Sequence, residues 1–221
     1  MVYIQSQPEW TALVVNKDSN IKSLKDLKGK KIAATKGTDP FLFTLQALDT
    51  VGLGKRDVEL VHLQHPDGKT ALERKQVDAW AGQDPIMASV QVQSGAKLLY
   101  RNVGFNSYSV LSVKENFAKQ SPEAIEAVIK AYEQARKWSK ANPTKLTELL
   151  ARESKLPLAV AKLQLSRTNL DQNIPNTKQI TALQKAGNIL TEEELVRKGT
   201  NVNQVVTQLF DAKYAQKVVK K

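Results

Sequence analysis

The sequence contains no cysteine. That excludes disulfides, thiol catalysis and Cys-ligated zinc or iron–sulfur centres. Histidine is almost as scarce: His62 and His65 are the only two. They lie three positions apart with no acidic constellation around them, too little to build a metal centre. No apolar run approaches the ~18 residues needed to cross a bilayer, so no membrane span is expected. The opening MVYIQSQPEW carries neither a basic n-region nor an apolar h-region, so it does not read as a secretory leader. A Gly-x-Ser-x-Gly nucleophile elbow is missing. Asp67–Thr70 (DGKT) mimics the tail of a phosphate-binding loop, but the earlier glycine of that pattern falls on Leu63. Gly52–Asp57 (GLGKRD) fails the dinucleotide pattern, because Asp57 stands where its last glycine belongs. No catalytic constellation emerges. A binding module is therefore favoured over an enzyme, with no catalytic residue, cofactor or metal expected.

The 221 residues are 41% hydrophobic and 25% charged, the balance of a soluble globular chain of one large or two small domains. The formal net charge is +11, which raises the question of nucleic acid. The charge is dispersed, however. Residues 1–110 hold 14 Lys+Arg against 11 Asp+Glu, and residues 111–221 hold 19 against 11. In the second half the cations sit beside acids along helical stretches, as in Glu133, Arg136, Lys137 and Lys140. This is the pattern of solvated helix faces, and no nucleic-acid partner is expected.

The first half alternates strand and helix patterns. Strands are predicted at Thr11–Val15, Lys31–Thr35, Asp57–Leu63, Val77–Ala81, Lys97–Arg101 and Tyr108–Val113, from apolar and β-branched runs bounded by turn residues. Helices are predicted after Ser23, after Asp39-Pro40 as far as Gly52, over Lys69–Lys75, and after Asp84-Pro85 as far as Gly95. Such alternation implies an open, mainly parallel sheet with helices on both faces. The second half reads as helices alone: Pro122–Ala141, Thr144–Arg152, Pro157–Arg167, Thr177–Leu190, one opened by a capping box at Thr191, and Asn203–Lys217. With no sheet of their own, these helices must pack on something else.

Two corners repeat one plan. Gly37-Thr38-Asp39-Pro40 and Gly82-Gln83-Asp84-Pro85 each follow an apolar strand and open a helix. In a parallel sheet both fall at the carboxyl ends of strands, where α/β folds bind ligands, and the backbone N–H groups of a helix start favour anions. Asp-Pro is also simply a good helix start. Two such corners on one sheet edge, each with a glycine permitting close approach, favour a binding site. His65-Pro66-Asp67-Gly68 opens on the same edge. Trp80 reads equally well as a core residue and as an aromatic wall over an apolar ligand tail.

The stretches SNIKSLKDLKGKKIAATKGTDPFLF and LQHPDGKTALERKQVDAWAGQDP, together with LLYRN at Leu98–Asn102, resemble ABC-transporter substrate-binding proteins of the aliphatic sulfonate, taurine and nitrate group. The resemblance covers roughly residues 10–215. It implies a periplasmic-binding-protein type II fold, with one complete βα lobe and a C-terminal helical region of an incomplete second lobe. In those terms residues 1–13 are a crossover from the first lobe, and residues 14–107 are the α/β ligand-binding lobe. Residues 108–221 are the return crossover and the helices that pack on the first lobe. The family's first lobe begins with strands and helices upstream of the matching segment, so the chain is expected to start near the first crossover.

Carried over residue by residue, the resemblance assigns ligand binding to Gly37, Thr38 and Asp39 on one side and to Trp80, Gly82 and Asp84 on the other, with His65 and Asp67 close by. Gln83 stands where many members have an apolar or aromatic residue. The ligand implied is a small sulfonate-like or taurine-like anion, or another organic anion, held in an interlobe cleft. The partners implied are an ABC permease and its ATPase. The location implied is periplasmic, or extracellular and lipid-anchored, in the full-length form. Asp39 and Asp84 oppose a plain anion, which points either to a zwitterion whose amine meets them or to an anion bound mainly by groups of the first lobe. An enzyme of the thiamin-pyrimidine-synthase type shares the resemblance but carries a Cys-rich motif that is absent here. A sensory lobe of a signalling protein is a further alternative.

Overall fold

In the computed structural model, which describes residues 1–219, the chain opens with β1 (Tyr3–Pro8), β2 (Thr11–Val15), β3 (Lys31–Ala33) and α1 (Asp39–Asp49). It continues through β4 (Glu59–Val61), α2 (His65–Glu73), β5 (Ala79–Gln83), α3 (Ile86–Ser94), β6 (Lys97–Tyr100) and β7 (Ser109–Leu111). Then come α4 (Glu115–Gln120), α5 (Pro122–Ala141), α6 (Pro143–Glu153), α7 (Leu158–Leu165) and β8 (Thr168–Asn169). The chain ends in α8 (Thr177–Glu192), α9 (Val202–Gln208) and α10 (Lys213–Val219). It divides into two compact units, one of Met1–Pro8, Ser107–Leu149 and Thr168–Lys221, the other of Glu9–Asn106 and Leu150–Arg167.

The second of these is the α/β unit. Its sheet has the order β4-β3-β5-β2-β6. β3 runs parallel to β4 and to β5, whereas β2 runs antiparallel to β5 and β6. The sheet is therefore mixed: four strands run one way, and β2, inserted between β5 and β6, runs against them. β2 is apolar or buried at every position because both its faces are covered. Leu13 and Val15 pack with Ile32, Phe43 and Leu48 on one face, and Ala12 and Val14 with Leu72, Trp80, Met87 and Val90 on the other. Full burial of each large side chain contributes about 1.5–3 kcal/mol, so truncating Phe43 or Leu48 to Ala would cost on the order of 2–5 kcal/mol. Segment Leu150–Arg167, expected to sit with the other C-terminal helices, belongs to this unit.

The other unit has a sheet of its own, in contrast to the expectation that the C-terminal helices have none; its strand β7 lies inside the strand expected at Tyr108–Val113. β1 is its central strand, paired antiparallel with β7 and β8. The polar residues of YIQSQP hide this strand from a periodicity reading. Inside the sheet they are satisfied by side chains, as where Gln7 Nε2 donates to Tyr108 Oη at 3.1 Å. Val2 and Tyr3 pack against Ile125 and Ile129 of α5 and Tyr214 and Ala215 of α10. The capping box expected at Thr191 does not open a helix. The Thr191 hydroxyl donates to the Gly187 carbonyl at 2.9 Å, and α8 runs on to Glu192. The single helix expected over Asn203–Lys217 is broken into α9 and α10, where the Asp211 N–H donates to the Met1 carbonyl at 3.0 Å. Among the described residues no helix is long and apolar enough to cross a membrane.

Candidate functional site

β4, β3 and β5 lie side by side and parallel, so the chain leaves all three at the same edge of the sheet and turns into α2, α1 and α3. Three helix N-termini thus line one edge of the α/β unit. Each carries backbone N–H groups with no acceptor inside its own helix, and the positive end of the helix dipole. The reversed strand β2 starts at this edge too. Thr11 pairs with Gln83, and the Asp84 N–H donates to the Trp10 carbonyl at 2.8 Å.

At the first corner Gly37 is exposed and takes φ +77°, a left-handed turn that glycine adopts without steric cost. Thr38 is extended and is the residue that precedes the helix. Its hydroxyl donates to the Thr35 carbonyl at 2.6 Å, and the Thr35 hydroxyl donates to the Leu63 carbonyl at 2.6 Å, tying this corner to the β4 end. Asp39 is the first helical residue and not the cap, with Pro40 next inside the first turn. A carboxylate there still favours the helix start through the dipole.

The His65 corner differs from the loop expected there. The helix begins at His65 itself, with Pro66 and Asp67 in its first turn. Pro66 suits this position because its fixed φ is helical and its missing N–H is not needed. Burial lowers the His65 imidazole below its ordinary value. One turn in, Gly68 is buried against the Trp80 indole.

The Asp84 corner is built on another principle than its twin. Gly82 lies inside β5 and is buried; a Cβ there would meet Val14 Cγ2 at 2.9 Å and Met87 Cγ at 3.0 Å. Its absence makes room for core packing, not for a ligand. The Asp84–Pro85 peptide bond is cis, Pro85 precedes the helix, and α3 starts at Ile86. Asp84 Oδ1 accepts the Ala88 N–H at 2.9 Å. Both carboxylate oxygens are gripped by Arg167, with Nε on Oδ2 at 2.7 Å and Nη2 on Oδ1 at 2.8 Å. Arg167 Nη1 also donates to Gln91 Oε1 at 2.8 Å. The two side chains are 2% and 5% exposed. Burial pushes the Asp84 carboxyl above its ordinary value, against the pull of the Arg167 guanidinium and the Ala88 N–H.

The eight residues expected at the site therefore separate. Gly37, Thr38, Asp39, His65 and Asp67 lie at the helix starts of the edge, none of them buried. Trp80 is 1% exposed and belongs to the core, as does Gly82; Asp84 is committed to an internal ion pair. The sequence alone does not point to Arg167. It lies 83 positions from Asp84 in a segment with only helical periodicity, and no local pattern marks it. Among the described residues no cluster of His, Asp and Glu is arranged to hold a metal.

The model of the NMT1/THI5-like family matches residues 2–146. The chain belongs to that family. A Bacillus subtilis relative named for aliphatic sulfonate binding is 30% identical over 200 residues, covering 90% of this chain and 60% of that protein. A Haemophilus influenzae relative named for thiamine biosynthesis is 32% identical over 138 residues, covering 60% of this chain and 43% of that protein. The solved structure of the periplasmic aliphatic sulphonate binding protein of Escherichia coli superposes with a TM-score of 0.83 at 24% identity, over 96% of this chain and 68% of that one. This NMT1/THI5-like chain therefore has the fold of a periplasmic sulphonate-binding protein. It spans 60–64% of the length of its curated sulfonate-binding relatives.

Proposed function

We propose that the chain is the ligand-binding part of the solute-binding component of an ABC importer, taking a small organic anion of the sulfonate type and passing it to a permease. The observation that carries this reading is the row of three helix N-termini on the carboxyl edge of β4, β3 and β5. Gly37, Thr38, His65 and the first-turn backbone of α1 and α2 are the groups offered to the anion. The Asp84–Arg167 pair removes one of the two acids that argued for a zwitterion, leaving Asp39. A plain anion becomes the better ligand. The periplasm, a lipid anchor, and a permease with its ATPase belong to this reading as the setting of such a component. Ligand binding without chemistry is its activity.

Calorimetric titration with short alkanesulfonates and with alkylammonium salts tests it. Sulfonate binding that saturates at one site, with no response to the amines, is expected. Binding of an aminopyrimidine in place of any sulfonate would instead favour the reading suggested by the thiamine-related relative, although the absence of cysteine speaks against that chemistry.

A further inference from the structure

We propose that Arg167 decides the sign of the ligand: by cancelling the Asp84 carboxylate inside the α/β unit, it makes the strand edge acceptable to an anion. This rests on the preceding reading of that edge as the ligand site.

Asp84 stands immediately after β5 and directly at the start of α3, with Oδ1 on the Ala88 N–H. Left uncompensated, that carboxylate would repel the charge that the helix starts are placed to attract. The other charges facing it do not solve the problem. Glu9, on the chain entering β2, adds like charge and is itself clamped by Arg101 through two hydrogen bonds. Among the described residues Arg167 is the cation that meets the Asp84 carboxylate directly. It does so with two parallel N–H bonds, while its third group is fixed by Gln91. Its backbone is held as well, since the Glu9 N–H donates to the Arg167 carbonyl at 2.8 Å. Arginine suits this geometry and lysine does not, because a single ammonium cannot span both carboxylate oxygens and the Gln91 amide. The α7 segment thus delivers a counter-charge to a corner built from a distant part of the chain.

The role is electrostatic, and it separates from a structural one by sign. Both Arg167→Gln and Asp84→Asn break a buried pair and should destabilise the chain. Their effects on an anion should be opposite. The test is calorimetric titration of the parent chain, the two single variants and the double variant with sodium butanesulfonate, at pH 8 and pH 5. Folding is checked by far-UV circular dichroism. A unit charge left uncompensated beside a bound anion corresponds to roughly ten-fold in affinity.

At pH 8 Arg167→Gln should bind about ten-fold more weakly than the parent, and Asp84→Asn at least as tightly as the parent. At pH 5 the Arg167→Gln variant should regain affinity relative to the parent at the same pH, as its uncompensated Asp84 protonates. The double variant should bind more tightly than Arg167→Gln at pH 8. If Arg167→Gln does not fold, Asp84→Asn against the double variant reads the same charge, with about ten-fold tighter binding expected for Asp84→Asn. Equal weakening in both single variants, or equal affinity of Asp84→Asn and the double variant, would overturn the proposal while leaving the anion site standing. Absence of butanesulfonate binding to the parent chain would overturn the anion-site reading and this proposal with it.

Discussion

Gly68 of α2 lies directly on the indole of Trp80 in β5: a Cβ at position 68 would sit 2.6 Å from Nε1 and 2.7 Å from Cδ1 of the ring. The ring is 1% exposed and enclosed by Ala33, Leu72 and Met87, so it has nowhere to swing. Gly68→Ala should therefore cost about 1–3 kcal/mol through overpacking. The coupling is specific. In a Trp80→Leu background the same substitution should cost distinctly less, which a double-mutant cycle in urea would read. Additive losses would mean that Gly68 is required for some reason other than the indole.

The two corner glycines should respond differently to the same change. Gly37 is exposed with φ +77°, so Gly37→Ala carries the left-handed backbone penalty of about 1–2 kcal/mol. Asparagine tolerates that conformation better, so Gly37→Asn should recover part of the loss. Gly82 is required by Val14 and Met87, so Gly82→Asn should be worse than Gly82→Ala. Unfolding midpoints of the four variants decide the matter. A common ranking at both positions would show that the corners are equivalent after all.

The same contrast shows what the residues disclose in one dimension. β2 and the Asp39 and Asp84 strand-to-helix corners are local patterns, written in β-branched runs and Gly/Pro punctuation, and they lie where the sequence predicts them, whereas α2 begins at His65, ahead of the helix predicted from Lys69. β1 escaped notice because its glutamines and serine are satisfied by partners such as Tyr108, more than a hundred positions away in the case of Gln7. The corner echo itself misled. Gly82 and Gly37 occupy matching positions, but one answers to packing and the other to backbone conformation. The role of Asp84 depends on Arg167, and a single arginine on a helical stretch has no periodicity that could reveal its partner.

In the unit built on β1, stability should depend on pH through Glu133. Its carboxylate is 7% exposed and accepts hydrogen bonds from Arg136, Tyr3 and Asn173. Burial alone would raise this carboxyl, but those bonds outweigh it and hold the group at about 2, against an ordinary 4.5. Between these values the unfolded chain binds the proton and the folded chain does not, so stability rises with pH through that window. The contribution is complete above about pH 4.5 and is lost as pH falls toward 2. It amounts to an upper figure of about 3 kcal/mol. Chemical denaturation of the parent and of Glu133→Gln across pH 2–6 should show a steeper acid loss in the parent. Parallel curves would remove Glu133 as the source.

His65 offers a direct reporter of an anion at the strand edge. It is the first residue of α2, and burial holds its imidazole below the ordinary value. An anion bound at the neighbouring helix starts would stabilise the imidazolium and move the titration upward, by the attraction between opposite charges at short range. The imidazole C–H resonance of His65, assigned with a His65→Gln variant, should therefore titrate at higher pH with saturating butanesulfonate than without it. By linkage, butanesulfonate should bind more tightly as pH falls through the His65 midpoint, and His65→Gln should abolish that slope. An unmoved midpoint in the presence of calorimetrically proven binding would place the anion away from α2, and would restrict the site to the α1 and α3 corners.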